Sequence, residues 1–191
     1  MATIRLIPST YSLSNTDYLS ISNASNMYTN IDSTTYATVN HTRSRTTSYY
    51  IYIKGFNFDD IPADAIINSA IVKVKAKVTS ASSYAPTLYN NTTSLNQNLS
   101  ENIGTTTTTS TVDITSNWET YKGYGSNFGI GLRLNRSSRY TASSMNIYGA
   151  EILVDYTVPV YHTVSTSITG GTLRSPTTAS ATVSGGANYE I

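Results

Sequence analysis

The chain has 191 residues, a formal net charge of +1 and 12% charged side chains, about half of the usual share for a soluble protein. It therefore lacks the dense positive charge that supplies most of the affinity for nucleic acids and anionic membranes, and we expect neither as a partner. The absence of cysteine excludes disulfide bonds and thiolate metal sites.

Alternation of apolar and polar residues predicts strands along most of the chain. The pattern is clearest in seven segments: Ala2–Ile7, Tyr18–Ser22, Tyr36–Asn40, Ser48–Lys54, Ile66–Val78, Gly129–Asn135 and Met145–Val158. In "AIVKVKAKV" three lysines share one face and small apolar residues share the other, which is typical of a half-buried antiparallel strand. No stretch of ten residues shows a helical stripe, and we expect at most a short turn at Pro62–Ala65.

Polar, turn-rich segments separate these strands, and the threonine run Thr105–Thr109 is expected to form an exposed edge or loop strand. Many strands without intervening helices predict an all-β fold, an antiparallel two-sheet β-sandwich of jelly-roll type. We assign residues 1–158 to this domain. Pro159 marks its end because proline cannot donate a hydrogen bond to a strand ladder.

Residues 159–191 contain two more alternating segments, Tyr161–Ile168 and Ala179–Ser184. So few strands cannot bury a core alone. We expect this part to be a linker and the start of an incomplete immunoglobulin-like module. The alternative is a complete tail that pairs with another subunit.

Three stretches carry a resemblance to a known group of proteins. They are "YYIYIKGFNFDDIPADAIINSAIVKVKAKV" (Tyr49–Val78), "DITSNWETYKGYGSNFGIGLRL" (Asp113–Leu134) and "NIYGAEILVDYT" (Asn146–Thr157). Together they resemble the jelly-roll domains of cell-surface and phage virion proteins related to the group named after the "DNRLRE" motif. They are also similar to minor structural proteins of phages that infect Gram-positive bacteria, in which immunoglobulin-like repeats often follow.

The resemblance implies a non-enzymatic structural protein of a bacteriophage virion, a capsid decoration or head-fibre protein. Its expected partners are other virion proteins of the capsid or tail and further copies of itself. It implies no catalytic residue, because the shared positions are core and turn positions, and we expect no cofactor. The alternative is a carbohydrate-binding module that recognises bacterial glycans, in a tail receptor-binding protein or a secreted cell-surface protein.

Catalytic and metal-binding side chains are sparse. His41 and His162 lie in no metal-ligand spacing, and we expect surface or interface packing for both. Asp59, Asp60 and Asp64 suggest a calcium site, because hard cations require several oxygen ligands. We favour a turn in which the aspartate side chains bond nearby backbone N–H groups, and we assign no metal site.

The candidate contact residues, for a glycan or a protein partner, are mostly aromatic and basic: Trp118, Tyr121, Tyr124, Asn127, Arg133 and Arg136. Exposed aromatic faces stack on sugar rings, but a lone tryptophan in a sandwich is more often a core residue. Tyr49, Tyr50 and Tyr52 share one strand. We expect Tyr50 to face opposite to the other two, with some of these rings outside or at an interface.

Overall fold

The described residues of the computed structural model are 1–41, 48–79, 83–135, 142–165 and 180–184. The first strands are β1 (Ala2–Leu6), β2 (Thr10–Leu13), β3 (Leu19–Ser22), β4 (Ala37–His41), β5 (Tyr49–Lys54) and β6 (Ile66–Val78). The others are β7 (Thr87–Asn90), β8 (Thr93–Asn98), β9 (Thr108–Asp113), β10 (Phe128–Leu134), β11 (Ser143–Thr157), β12 (Tyr161–Ser165) and β13 (Ser180–Ser184). One short helix, α1 (Trp118–Gly123), and 3-10 turns at Ala24–Met27, Phe58–Asp60, Thr115–Asn117 and Gly125–Asn127 complete the described elements.

Two antiparallel sheets form the sandwich. The six-stranded sheet has the order β3-β4-β11-β6-β9, and β1 also pairs with β11; the five-stranded sheet has the order β2-β5-β10-β7-β8. From β4 to β11 the chain changes sheet at every step except the β7–β8 hairpin. These eight strands thus form rows β4-β11-β6-β9 and β5-β10-β7-β8, which is the jelly-roll arrangement. The predicted all-β sandwich is confirmed.

The core is a continuous apolar layer between the two sheets, and β6 demonstrates how the sequence produces it. Val72, Val74, Ala76 and Val78 are buried, while the three lysines between them are only partly buried on the outer side. The opposing layer comes from β5 and β10, where Ile51, Ile130 and Leu132 are at most 1% exposed. Burial of this kind supplies about 25 cal/mol per Å² of apolar surface, so the alternation stabilises the sandwich directly.

The predicted strands agree with the structure best where the alternation is long. The prediction for β6 has the observed bounds, and each of the seven predicted segments overlaps a strand. The predicted turn exists, since the Ala65 N–H donates to the Pro62 carbonyl at 3.0 Å. β2, β7, β8 and α1 were missed because each is short, with four to six residues, and mostly polar or mixed. Thr108 and Thr109 begin β9, an outer strand of the six-stranded sheet, as the threonine run suggested.

The C-terminal part contains a two-stranded antiparallel ladder. Tyr161 of β12 pairs with Ser184 of β13, and Ser165 pairs with Ser180. Both strands were predicted, and residues 166–179 and 185–191 lie outside the described part. The immunoglobulin-like assignment stays a prediction.

One edge of β11 is shared by three different segments. β4 pairs with its first residues, β1 pairs with its last, and a loop fills the gap, where the Ala150 N–H donates to the Thr29 carbonyl at 3.2 Å. Gly149 allows this approach, because a Cβ atom there would lie 2.5 Å from the carbonyl oxygen of Asn30. Beside it the carboxylate of Glu151 is 1% exposed.

Candidate functional site

The predicted contact residues from Trp118 to Asn127 lie on the connection between β9 and β10. Hydrogen bonds hold the first residues of this connection in place. Asp113 Oδ1 accepts from the Thr115 N–H at 2.8 Å and from the Thr115 hydroxyl at 2.6 Å. These two donors hold the pKa of Asp113 below its usual value. The Thr115 hydroxyl oxygen also accepts from the Ala70 N–H at 2.9 Å, which anchors the connection to β6.

Trp118 and Tyr121 belong to the core. Trp118 is 3% exposed, and its ring meets the ring of Phe58 edge to face at 5.3 Å. Tyr121 is 7% exposed and stacks on Phe128 at 5.0 Å, while its hydroxyl donates to Gln97 Oε1. Trp118 therefore offers no open ring face to a sugar, and the preferred interpretation as a core residue is confirmed.

Tyr124 and Asn127 lie nearer to the surface. Tyr124 is partly buried, with its ring centroid 6.2 Å from that of Tyr121. Asn127 is exposed, and its carbonyl accepts from the Asn91 N–H at 2.8 Å at the tip of the β7–β8 hairpin. The four residues are thus brought together, with Trp118 and Tyr121 anchoring α1 in the core, and they do not present an aromatic platform.

A groove opens beside this anchor, between α1 and the segment that follows β5. We call it the α1 groove. Its volume is about 580 Å³, within the range of about 300–1,000 Å³ that is common for small-molecule sites. It is lined by Phe56, Asn57, Phe58, Asp59, Glu119, Lys122, Gly123, Gly125 and Ser126.

The two walls of the α1 groove are held in place from behind. Phe56 and Phe58, 2% and 4% exposed, pack on Phe128 with ring centroids 6.3 and 5.9 Å apart. On the other wall, Trp118 fixes α1 against Phe58. At the rim the amide of Asn57 accepts from the Asp59 N–H at 3.4 Å and donates to Asp60 Oδ1 at 2.6 Å.

The α1 groove is open and polar. Asn57, Asp59, Glu119 and Ser126 are exposed, and Lys122 is partly buried. The two glycines keep it wide, since a Cβ atom at Gly123 or Gly125 would meet nothing within 4 Å. A second hollow of about 230 Å³ lies on the other side of α1, and Glu119 lines both.

Asp59 and Asp60 lie in the Phe58–Asp60 turn beside the α1 groove. In the Phe58–Asp60 turn the backbone N–H of Asp59 is bonded by the side chain of Asn57, so an amide takes the role that we expected of an aspartate. In the part of the chain that the structure describes, no three His, Asp or Glu side chains are placed to hold a metal ion.

His41 lies in the interior, which corrects the expected surface or interface position. It ends β4, is 1% exposed, and its ring lies 5.2 Å from the ring of Tyr49. Tyr49 also stacks on Tyr18 at 5.2 Å. His162 lies on β12, where only the backbone is described.

A second aromatic cluster covers the outer side of the five-stranded sheet. Tyr50, Tyr52 and Tyr89 form it, and we call it the tyrosine face. Tyr50 stacks on Tyr52 at 6.0 Å, and Tyr52 meets Tyr89 edge to face at 4.9 Å. The expectation that Tyr50 faces opposite to Tyr52 was wrong, because residues two positions apart on a strand share a face; Tyr49 points to the core side.

The tyrosine face is closely packed. Tyr89 lies across Gly131, where a Cβ atom would approach the ring within 2.3 Å. Tyr52 and Tyr89 are each 7% exposed, and Tyr50 is partly buried. Burial and the neighbouring tyrosines raise the pKa of Tyr89 to about 12.

Arg133 extends the same surface. It pairs with Tyr50 across β10 and β5, so it projects on the side of the tyrosine face, and its guanidinium lies 4.1 Å from the ring centroid of Tyr84. Such a cation–π contact holds the charged group flat against the protein. Its Nε atom is buried and has no hydrogen-bond partner among the described residues. Arg136, the other predicted basic contact, lies outside the described residues.

Comparison of the chain with protein-family models, curated proteins and solved structures gives no match. Within the described part, no helix has the length and apolar character needed to cross a membrane.

Proposed function

We propose that this chain is a non-enzymatic structural protein of a bacteriophage virion, a capsid decoration or head-fibre protein attached to the particle through its N-terminal sandwich. In this proposal residues 159–191 project from the particle, and their immunoglobulin-like assignment stays a prediction. The observation that carries the proposal is the jelly-roll strand order, which occurs in viral capsid domains as well as in lectins. The three resembling stretches supply the frame of this fold through β5, β6, β10 and β11.

The exterior fits adhesion better than catalysis. Charged residues are scarce, and the outer side of the five-stranded sheet is covered by tyrosine rings and by Arg133. Tyrosine and arginine are the residue types that most often dominate protein–protein binding energy, because they combine a large contact area with directed hydrogen bonds. We assign the contact with another virion protein to Tyr50 of the tyrosine face and to Arg133, because both are only partly buried, whereas Tyr52 and Tyr89 are buried beneath them.

Self-association is the second part of the proposal. The five-stranded sheet ends in β2 and β8, whose outer edges have no strand beside them in the described chain. The outer edge of β9, at the end of the other sheet, is partly covered, because the Thr111 carbonyl accepts a hydrogen bond from the Ser100 N–H at 2.8 Å. Open strand edges favour pairing with another copy. Light scattering of the purified chain is expected to give a homo-oligomer, and a monomer at micromolar concentration contradicts this part.

An add-back experiment tests the attachment. Particles of a phage from which the gene has been deleted are mixed with the purified chain and sedimented. The wild-type chain is expected to co-sediment with a saturable stoichiometry, and the double variant Tyr50→Ala, Arg133→Ala is expected to lose binding at least tenfold. The matched control is Tyr36→Ala, because Tyr36 is 41% exposed and lies just before β4 of the other sheet, beside Tyr148. Failure of the wild-type chain to co-sediment contradicts the proposal.

A glycan-binding role is the second candidate. The α1 groove is the observation that favours it.

A further inference from the structure

We infer that the α1 groove is a binding site for one or two sugar residues of a saccharide that carries no negative charge. This inference does not depend on whether the chain is a virion component. The residues that line the α1 groove are not those of the predicted contact set, because the aromatic residues of that set lie behind the groove wall.

The polar groups of the α1 groove match a ligand that both donates and accepts hydrogen bonds at many points. Asp59 and Glu119 offer carboxylate oxygens, Lys122 offers three N–H donors, and Asn57 and Ser126 offer groups of both kinds. A sugar ring carries hydroxyl groups that satisfy acceptors and donors alike. Carboxylates and amides are suited to it because two neighbouring hydroxyls can bond the two ends of one planar group.

The charges of the lining exclude other ligand classes. Two carboxylates against one ammonium group give the α1 groove a formal charge of −1, which repels phosphate and carboxylate ligands. An apolar ligand is disfavoured because it would remove these charged groups from water without replacing their hydrogen bonds. A divalent cation lacks a third carboxylate or histidine ligand in the described part of the chain. A neutral or amino-substituted saccharide meets each of these conditions.

The groups that line the α1 groove are also held in place before any ligand binds. Its base rests on Phe56 and Phe58, which pack against Phe128, and the 3-10 turn that carries Asp59 is bonded by Asn57. Supports of this kind reduce the ordering cost of binding, because the recognition groups do not have to be brought together by the ligand.

Gly123 gives a direct way to close the α1 groove without disturbing the fold. It ends α1, lines the groove and has no atom within 4 Å of its Cβ position, so a side chain there extends into open space. Gly123→Trp is therefore expected to fill the groove and leave the melting temperature unchanged or higher. Gly104→Trp is the matched control, because Gly104 lies on a distant loop where a Cβ atom makes only an ordinary contact of 3.7 Å with Ser83.

The test is ligand-observed NMR on the full chain with a defined panel. The panel holds glucose, galactose, rhamnose, N-acetylglucosamine, glucosamine, N-acetylgalactosamine and their disaccharides, together with glucuronic acid, inorganic phosphate and CaCl₂ as competing classes. We expect saturation transfer to at least one neutral or amino sugar and none to glucuronic acid, and we expect that neither phosphate nor Ca²⁺ displaces the bound sugar. Gly123→Trp is expected to weaken that binding at least tenfold, and Gly104→Trp to leave it within twofold.

A second variant guards against an unexpected effect of the tryptophan on folding. Glu119→Gln keeps the shape of an exposed side chain and removes its charge, and it is expected to weaken binding by about tenfold, the usual scale for a hydrogen bond to a charged group. The inference is overturned if no sugar of the panel binds, if phosphate or Ca²⁺ binds in place of a sugar, or if sugar binding survives Gly123→Trp. Because particle attachment is measured separately, either result leaves the virion proposal to its own test.

Discussion

Replacing Trp118 by alanine is the perturbation that most clearly separates a core tryptophan from a ligand platform. The ring is 3% exposed and meets Phe58 edge to face at 5.3 Å. A fully buried aromatic side chain removes about 150–250 Å² from water, which at about 25 cal/mol per Å² corresponds to about 4–6 kcal/mol. Measured Trp→Ala substitutions in cores cost about 3–5 kcal/mol, so we expect Trp118→Ala to lower the free energy of unfolding by about 4 kcal/mol.

The assay is urea denaturation followed by circular dichroism, because the substitution removes the only tryptophan. The midpoint should fall while the denaturant slope stays the same. Val160→Ala is the control: Val160 is 61% exposed, so the variant should stay within about 0.5 kcal/mol of the wild type. A loss of less than about 1 kcal/mol for Trp118→Ala would refute the argument that Trp118 anchors α1 and the groove wall.

Further predictions concern stability. Gly149→Ala should lower the free energy of unfolding by about 1–3 kcal/mol, because its Cβ would lie within 2.6 Å of two backbone carbonyl oxygens. Gly123→Ala should raise the free energy of unfolding by up to about 1 kcal/mol, because nothing lies within 4 Å of its Cβ position. Equal effects of the two substitutions in thermal unfolding would contradict this packing. Glu151→Gln should cost about 1–3 kcal/mol, because Glu151 is buried 3.4 Å from Arg5 and 3.9 Å from Lys73; a neutral result argues against these pairs. Burial raises the pKa of Tyr89 from 10.0 to about 12, so the folded state holds the phenol proton more tightly than the unfolded state does. The resulting contribution to stability is fully present below pH 10 and is lost as the pH rises from 10 to 12. Tyr89→Phe should therefore lose less stability than the wild type over that range, and parallel curves would contradict the assignment.

The fold was predictable where alternation runs long enough to outweigh local ambiguity. β6 has 13 residues with valine or alanine at every second position, and its faces follow from that alone. β7 and β8 carry too few apolar residues for such a pattern. They become strands through their mutual pairing at the Asn90–Thr93 hairpin and through the pairing of β7 with β10. α1 has six residues, which is too short for a helical stripe to be visible in the sequence.

The α1 groove was not predictable from spacing. Its walls come from Phe56–Asp59 and from Glu119–Ser126, which are some sixty residues apart and meet only because β5 and β10 pair. The sequence pointed to Trp118 and Tyr121 near this region, but it did not reveal that both rings lie behind the wall of the α1 groove and not in it. The one local signal was the pair Gly123 and Gly125 among polar residues. Such a pair predicts an open turn, but it does not predict which segment lies opposite the turn.

Quantitative mass spectrometry of purified phage particles tests the proposed function most directly. We expect this chain to co-purify with the particle at a constant ratio to the major capsid protein, in preparations from independent lysates and after high-salt washing. A chain that stays in the host-cell fraction and is missing from washed particles would contradict it.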